Sequence, residues 1–340
     1  MRVLFDCQGT PFLLAHGGAD VQVHNTVAAL RNIGVDSDYL RWWDKTQECD
    51  LIHTFSVPDA QFLKFANEKN IPVICTTLFT ANCNHPEWFL RAKGLLVSAV
   101  LSGGKLPLVS TFRDFSRWKS FREVACNVVG LQAEVDVLKK VHGVADSRIR
   151  MVPLGLSEPF LNATPGPRDE DHLITTGTIT ERKRSEEIAE MAQAAKVPIL
   201  FVGKPYAETS EYWKRFKSLI DGRYVKHIRH TENTAELVDL MRRSRGYILN
   251  SYYENWCLSA HEAIACGLPI LVPDQRWSRE RFGNEAVYLK GTPAEVTDQI
   301  KDFHAKASSL PVPGIKLHSW NEVAVELKDL YQSVLSGTRR

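Results

Sequence analysis

The chain has 340 residues, 44% hydrophobic and 24% charged, with a formal net charge of +2. This is ordinary globular composition, long enough for two separate cores, and it excludes a disordered or collagen-like chain. A charge this close to balance does not by itself argue for nucleic acid, and no nucleic-acid partner is expected.

In chain order, Val3-Leu-Phe5 reads as a strand, followed by a helix from Asp20 to Asn32 with Val23, Val27 and Leu30 on one face and Gly34 as its stop. Leu51-Ile-His53 is a second strand, Asp59 to Asn67 a helix, and Val73 to Thr77 a third strand. Val128-Val129 and a helix from Ala133 to Val141 follow, and Met151 to Gly155 ends the block. Pro159 to Asp171 is a polar, proline-bearing linker. Alternation then resumes with strands at Leu173–Thr176, Pro198–Val202 and Val225–His230. The helices between and after them cover Ser185–Lys196, Tyr212–Ile220 and Thr234–Arg243. A short apolar strand, Gly246 to Asn250, precedes a helix from Ser259 to Cys266 that Gly267 closes and Pro269 prevents from continuing. Ile270–Val272, Val287–Leu289, a helix from Pro293 to Ala307 and a last helix from Trp320 to Leu335 complete the chain. The βα alternation predicts two doubly wound, Rossmann-like domains: residues 1–158 and 172–318, joined by the linker 159–171, with 319–340 as a terminal helix.

The seven cysteines are scattered and lack a Cys-x-x-Cys pair, which suggests free thiols in a reducing cytosol. Met1-Arg2 leads directly into a strand, leaving no room for a signal peptide, so a cytoplasmic location is expected. The longest apolar run, Gly94 to Gly104, is too short to cross a bilayer.

Two glutamates, Glu254 and Glu262, flank the turn between a strand and the next helix. In an open α/β sheet, ligands bind at such strand C-terminal ends. Backbone N–H groups of Cys257 to Ala260 at the helix start would suit an anion or hydroxyls. Each glutamate also has a plainer explanation. Ser259-Ala-His-Glu262 fits a capping box, and Glu254 could be a solvated loop charge.

The surrounding register carries a resemblance. Glu254, Leu258, Glu262, Ala263, Ala265, Gly267, Pro269 and Ile270 match the Glu, seven residues, Glu signature of retaining glycosyltransferases of family 4, with Trp256 in place of Phe. The resemblance implies a GT-B fold. Within it, 172–318 would be the nucleotide-sugar donor domain and 1–158 the acceptor domain, with the terminal helix crossing back onto the latter. It implies that Glu262 binds the nucleotide ribose and Glu254 the donor sugar's hydroxyls, with Asn255, Trp256, Cys257 and Leu258 around the donor.

Gly177-Thr-Ile-Thr-Glu-Arg182-Lys183-Arg184-Ser185 places three cations at a helix start. Against the macrodipole each is unfavourable by about 0.3–1 kcal/mol, so an anionic partner such as a diphosphate is one reading. A solvated basic turn balanced by Glu186 and Glu187 is the other. The stretch is similar to the family's donor-phosphate motif, with Gly177 and Lys183 in register and Thr178 where the family has arginine; Arg182 is the nearest substitute. His16-Gly17-Gly18-Ala19-Asp20 resembles the family's Gly-Gly-Ala-Glu loop, which faces the donor phosphates across the cleft. A turn with Asp20 as N-cap is its plainer explanation. Leu131 to Glu134, Gly143 to Gly155, Glu285 to Leu289 and Ser319-Trp320 also fit, so the resemblance spans almost the whole chain.

Three departures stand out. Leu78 and Phe79 occupy the place where many relatives have a histidine near the reacting sugar, which leaves His16, His53 or His85 as acceptor-side candidates. Cys257 replaces a glycine whose backbone N–H meets sugar hydroxyls, and Thr178 replaces the arginine. Residues 88–122 interleave aromatic with basic side chains, either as core plus a solvated face or as a surface for anionic lipid or a phosphorylated acceptor. The reading is a metal-independent retaining glycosyltransferase with no cofactor, moving a hexose-type sugar from a nucleoside-diphosphate sugar to a glycan, lipid-linked or small-molecule acceptor. The alternative is a GT-B-like subunit that binds without turnover. A glycoside hydrolase is disfavoured, because a carboxylate pair alone does not call for cations at the neighbouring helix start.

Overall fold

The computed structural model describes residues 1–7, 17–77, 81–102, 113–229, 231 and 233–338. They form two units. The first comprises described residues up to Gly155, except Gly17 and Gly18, together with Trp320 onward; the second runs from Leu156 to Ser319 and groups with Gly17 and Gly18.

The first unit contains β1 (Arg2–Cys7), α1 (Gly18–Asn32), β2 (Asp36–Tyr39), β3 (Leu51–Phe55), α2 (Ala60–Glu68) and β4 (Val73–Thr76). It continues with α3 (Glu87–Ser102), α4 (Arg113–Glu123), β5 (Cys126–Val129), α5 (Gln132–Lys140) and β6 (Ile149–Met151). Its sheet has the order β2-β1-β3-β4-β5-β6, every pair parallel. β3, β4 and β5 are buried throughout, as strands covered on both faces must be. The edge strand β2 was not foreseen: Asp36-Ser-Asp-Tyr39 carries no apolar run, yet Ser37 is buried. α3 and α4 fall in the stretch where no helix was predicted.

β7 (Gly155–Leu156) and α6 (Glu158–Leu161) lead into the second unit. There β8 (Leu173–Thr176), α7 (Ser185–Ala195), β9 (Ile199–Val202), α8 (Glu211–Ser218), β10 (Val225–Ile228) and α9 (Thr234–Arg243) alternate. β11 (Gly246–Ile248), α10 (Leu258–Ala265), β12 (Ile270–Pro273), α11 (Arg276–Phe282), β13 (Val287–Leu289) and α12 (Pro293–Lys306) follow. β14 (His318–Ser319) and α13 (Trp320–Thr338) end the chain. The sheet order is β10-β9-β8-β11-β12-β13, again parallel throughout. Its core gathers Ile188, Ala192, Ile199, Phe201, Phe216, Ile248, Leu271, Ile300 and Phe303, all at most 2% exposed. Burial of each such Ile, Leu or Phe side chain contributes about 1.5–3 kcal/mol.

In this order the chain starts at β8, adds β9 and β10 on one side, then returns to add β11 on the other. The reversal lies between β8 and β11, and it leaves a crevice beyond their C-terminal ends. The loops leaving these two strands carry the basic stretch and Glu254, so topology alone brings the two motifs together.

α13 packs with the first unit through Val323, Ala324, Leu327 and Tyr331, all buried at helical spacing. Gly155 provides its seat: a Cβ there would fall 2.5 Å from the Trp320 ring.

Candidate functional site

β8 delivers the chain to Gly177, whose φ of +128° only glycine adopts without strain. A Cβ at this position would also lie 3.2 Å from Lys183 Nζ, so glycine lets the lysine fold back over the strand end. A short 3-10 turn, Glu181–Lys183, follows, with Thr180 as its cap. Arg184 takes a left-handed conformation, and α7 begins at Ser185.

Beyond β11 the chain runs through buried Asn250 and Ser251 to Tyr252, Tyr253 and Glu254. The two loops are tied by backbone and side chain. Tyr252 N–H donates to Arg182 O at 3.0 Å, and Arg182 Nη1 donates to Tyr253 O at 2.9 Å. Arg182 lies over the Tyr253 ring at 5.5 Å and Arg184 over Tyr252 at 4.9 Å.

Glu254 Oε1 is the focus. Arg182 Nη1 reaches it at 2.9 Å, Lys183 Nζ at 3.0 Å and Ser251 Oγ at 2.8 Å. Side-chain exposure is 10% for Glu254, 14% for Lys183 and 36% for Arg182, so these are mostly shielded charges. Burial opposes ionisation of Glu254, but Lys183, Arg182 and the Ser251 hydroxyl hold its carboxyl down at about 2. Two cations against one carboxylate leave one positive charge at the strand ends.

Glu262 has the opposite environment. Desolvation pushes its carboxyl up to about 7, against the pull of Lys183. The capping-box reading of this residue is corrected. α10 starts at Leu258, so Glu262 lies beyond the first turn, and Cys257 caps the helix without a side-chain hydrogen bond. The Ser259 hydroxyl instead accepts from Tyr247 Oη at 2.7 Å.

Cys257 is left-handed, with φ 52° and ψ 51°. For a residue with a Cβ this costs roughly 1–2 kcal/mol, which is a physical reason for a glycine at this position. Its thiol is buried and pushed up to about 12, first by desolvation and then by Glu254, so it stays protonated. His261 Nδ1 lies 3.0 Å from Cys257 O, and burial lowers its ring to about 4, keeping it neutral. Arg281 Nη2 donates to Asn255 O at 3.2 Å, bracing the loop from α11. Trp256 is buried and Leu258 half-buried, while half-buried Thr178 brings no charge.

Without a ligand, the counter-charges of the basic turn are carboxylates of this chain. Arg184 pairs with Glu187 at 3.3 Å, as the balanced-turn reading held, while Arg182 and Lys183 turn to Glu254. At α7 the amide of Glu186 is capped by Tyr212 Oη at 2.8 Å. Ser251, Tyr253 and Arg281 were missed as parts of the constellation. Ser251 alone had a local signal, lying three residues before Glu254.

The acceptor-side candidates separate. His53 is a core residue: Nδ1 meets Tyr331 Oη at 2.7 Å and Nε2 meets Thr76 Oγ1 at 2.7 Å, with burial lowering it to about 3. It has no route to a ligand. His85 is half-buried with its ring 4.2 Å from Phe89. His16, Leu78 and Phe79 lie outside the described residues. In 88–122, Leu90, Val97 and Phe121 are buried, whereas Trp88, Leu95 and Leu96 are exposed. Arg91 pairs with Glu87, Lys93 with Asn82, and Arg122 with the carbonyl of His142. Lys105 and Phe112 lie outside the described residues, and of Arg113, Phe115 and Arg117 only the backbone is described.

Among the described residues no cluster of three or more His, Cys, Asp or Glu is placed to hold a metal ion, and no helix is long and apolar enough to cross a membrane.

Paired parallel sheets of this topology, with a charged crevice at a switch point, are those of the GT-B glycosyltransferases. Sucrose-phosphate synthase from Thermosynechococcus elongatus matches at a TM-score of 0.72 and 15% identity, over 99% of this chain and 100% of its own. A glycosyltransferase from Rickettsia africae gives 0.62 at 13% identity, over 98% of each chain. An Anabaena protein solved in complex with UDP and glucose gives 0.56 at 14% identity, over 98% of this chain and 100% of its own. Likeness at such identity shows the fold. No curated protein sequence matches significantly. The family model of glycosyl transferases group 1 matches residues 160–316, nearly all of the second unit.

Proposed function

We propose that this chain is a retaining glycosyltransferase of the family 4 type, moving a hexose from a nucleoside-diphosphate sugar to an acceptor without a metal ion or other cofactor. The observation that carries the reading is the convergence of Arg182 and Lys183 on Glu254 beside Glu262 at the switch point.

In the unliganded site Glu254 occupies the two cations. A diphosphate brings more negative charge and more acceptor oxygens than one carboxylate, so it displaces Glu254 from Lys183 and Arg182. The freed carboxylate then accepts from hydroxyls of the donor sugar, and Glu262 accepts from the ribose. As the glycosidic bond to the β-phosphate breaks, negative charge grows on the diphosphate while the ring becomes oxocarbenium-like. Lys183 and Arg182, already fixed, stabilise that charge more than the ground state. The left-handed Cys257 aims the start of α10 at the sugar, with the Leu258 and Ser259 amides available for its hydroxyls. Gly17, Gly18, Gly177 and Thr178 complete the phosphate side, and Arg182 stands in for the arginine absent at Thr178.

Incubation with UDP-, GDP- and ADP-hexoses tests this reading. Nucleotide release is expected with one of them, and the product anomer followed by NMR should keep the donor's configuration. Tight binding without release would support the second reading, a donor-binding subunit, which the strained Cys257 and uncharged Thr178 favour. The bound UDP and glucose of the Anabaena structure make UDP-glucose the first donor to test.

The acceptor is a glycan, lipid-linked or small molecule. Exposed Trp88, Leu95 and Leu96 on α3 support peripheral contact with anionic membranes. Since Arg91 and Lys93 are already partnered, the contact is mostly apolar. Co-flotation with anionic vesicles, reduced by Trp88→Ala, is the expected outcome; no co-flotation at low salt ends that part.

A further inference from the structure

The loop after β2 displays two adjacent tryptophans in a hydrogen-bonded, ion-paired frame. Trp42 is 89% exposed and Trp43 67% exposed. Their rings stand 5.8 Å apart at 90°, forming a right-angled aromatic corner open to solvent. Exposing two indoles forgoes burial of 150–250 Å² each, so such a patch calls for a ligand.

The frame is built from side chains on both flanks. Arg41 donates through Nη1 to Asp38 at 2.8 Å and through Nη2 to Asp44 at 3.0 Å. Gln47 Oε1 accepts from the Arg41 amide at 2.7 Å, and Gln47 Nε2 donates to Tyr39 O at 3.0 Å. Asp44 Oδ1 also accepts from Thr46 Oγ1 at 2.6 Å, and Leu40 N–H continues the sheet by donating to Phe5 O at 2.8 Å. The two rings are thus presented by a backbone braced at three points, which lowers the ordering cost of binding.

Charge selects among ligands. Residues 36–50 hold five acids, Asp36, Asp38, Asp44, Glu48 and Asp50, against Arg41 and Lys45. Arg2, Arg31 and the N-terminal amine pair with Asp36, Asp38 and Asp50 from outside the loop, so the surroundings are close to neutral, with no excess of cations. Without a cationic excess the loop offers no grip for phosphate-bearing partners, nucleic acid or anionic lipid. A pyranose suits it: its axial C–H face packs on an indole face, while its hydroxyls meet the surrounding carboxylates. The loop also leaves a C-terminal strand end of a doubly wound sheet, the side on which such folds bind ligands.

We propose that Trp42 and Trp43 form a binding platform for an uncharged glycan. Its role as a grip on an acceptor chain rests on the transferase reading above; binding itself does not.

The test titrates the full chain with neutral gluco-, galacto- and manno-oligosaccharides, followed by tryptophan fluorescence. A saturable change is expected with one series, weakened about tenfold or more in Trp42→Ala and Trp43→Ala, the loss of one stacking contact. Both side chains are exposed, so an unchanged melting temperature should show the fold intact. Donor-sugar thermal shift in the same variants should match the parent protein. No saturable change with any series, equal affinity in the variants, or a shift from dimer to monomer on substitution would overturn the platform. Vesicle binding that depends on these tryptophans would also overturn it. Donor shifts without glycan binding would sink the platform alone; glycan binding without any donor shift would sink the transferase reading alone.

Discussion

Glu254 and Glu262 sit eight residues apart and feel the same Lys183, yet they hold their protons at opposite ends of the carboxylate range. Both are desolvated, which favours the neutral acid. Glu254 overcomes this through direct contact with two cations and a hydroxyl. Glu262 feels Lys183 only at a distance, with no side-chain hydrogen bond or ion pair among the described residues, so burial prevails. Contact, not proximity, decides which carboxylate is charged, and the pair enters neutral solution with two different jobs open to it.

The sharpest way to break this contrast is to remove the shared ammonium. Lys183→Ala should cut nucleotide release by roughly 10²–10³, the usual effect of deleting one donor to a developing oxyanion. It should also destabilise the unliganded protein, since Arg182 alone remains to offset Glu254. Steady-state release and urea unfolding measure the two effects. An active, equally stable variant would mean that the ion pair is incidental.

Next in size is the pH dependence of stability. The folded carboxyl of Glu254 lies below its unfolded value of 4.5, so its contribution is present above that pH and is lost as pH falls toward about 2. A shift of this size corresponds to about 3 kcal/mol. The folded carboxyl of Glu262 lies above 4.5, so its contribution is present below 4.5 and lost as pH rises through about 7. Glu254→Gln should therefore flatten the acid limb of a stability profile and Glu262→Gln the neutral limb. If both variants alter the same limb, the two environments are not distinct.

Donor binding sharpens the comparison further. Because ribose hydroxyls donate best to an ionised Glu262, affinity should increase as pH rises through about 7. Glu262→Gln should match the parent protein at pH 6 and miss that gain at pH 8, as calorimetry can show. The smallest effect is expected from chelation. Nucleotide release should be unchanged by excess EDTA, because Lys183 and Arg182 supply the charge at the diphosphate; loss of activity that magnesium restores would refute this.

Much of the architecture was legible because buried parallel strands are short apolar runs: Leu173–Thr176, Ile199–Val202 and Ile270–Val272 announce themselves. β2 and α11 were not. Asp36-Ser-Asp-Tyr39 is a polar edge strand defined by its neighbour, and Arg276–Phe282 is a short basic helix capped by Gln275 and Ser278. At the site, the resemblance already grouped the two motifs around one donor, whereas the direct pairing of Arg182 and Lys183 with Glu254 was not legible. Arg182 and Glu254 are far apart in sequence, and only the strand order puts their loops side by side. Local reasoning alone left the cations open between an anionic ligand and a solvated turn, and Glu262 between a ligand and a cap. His53 misled in the same way, since a polar residue in a short strand gives no sign that Tyr331 waits to receive it.

The seat that Gly155 offers Trp320, and the grip of Tyr331 on His53, also bear on how the molecule is made. The sheet synthesised first is finished by a helix that leaves the ribosome only after the entire second sheet has been translated. Until then His53 lacks its tyrosine and the groove for α13 stays open, so the early half must wait, incompletely sealed, while the later half folds. Fragments ending before residue 320 should accordingly aggregate, and chimaeras exchanging the leading half should carry the matching tail with it.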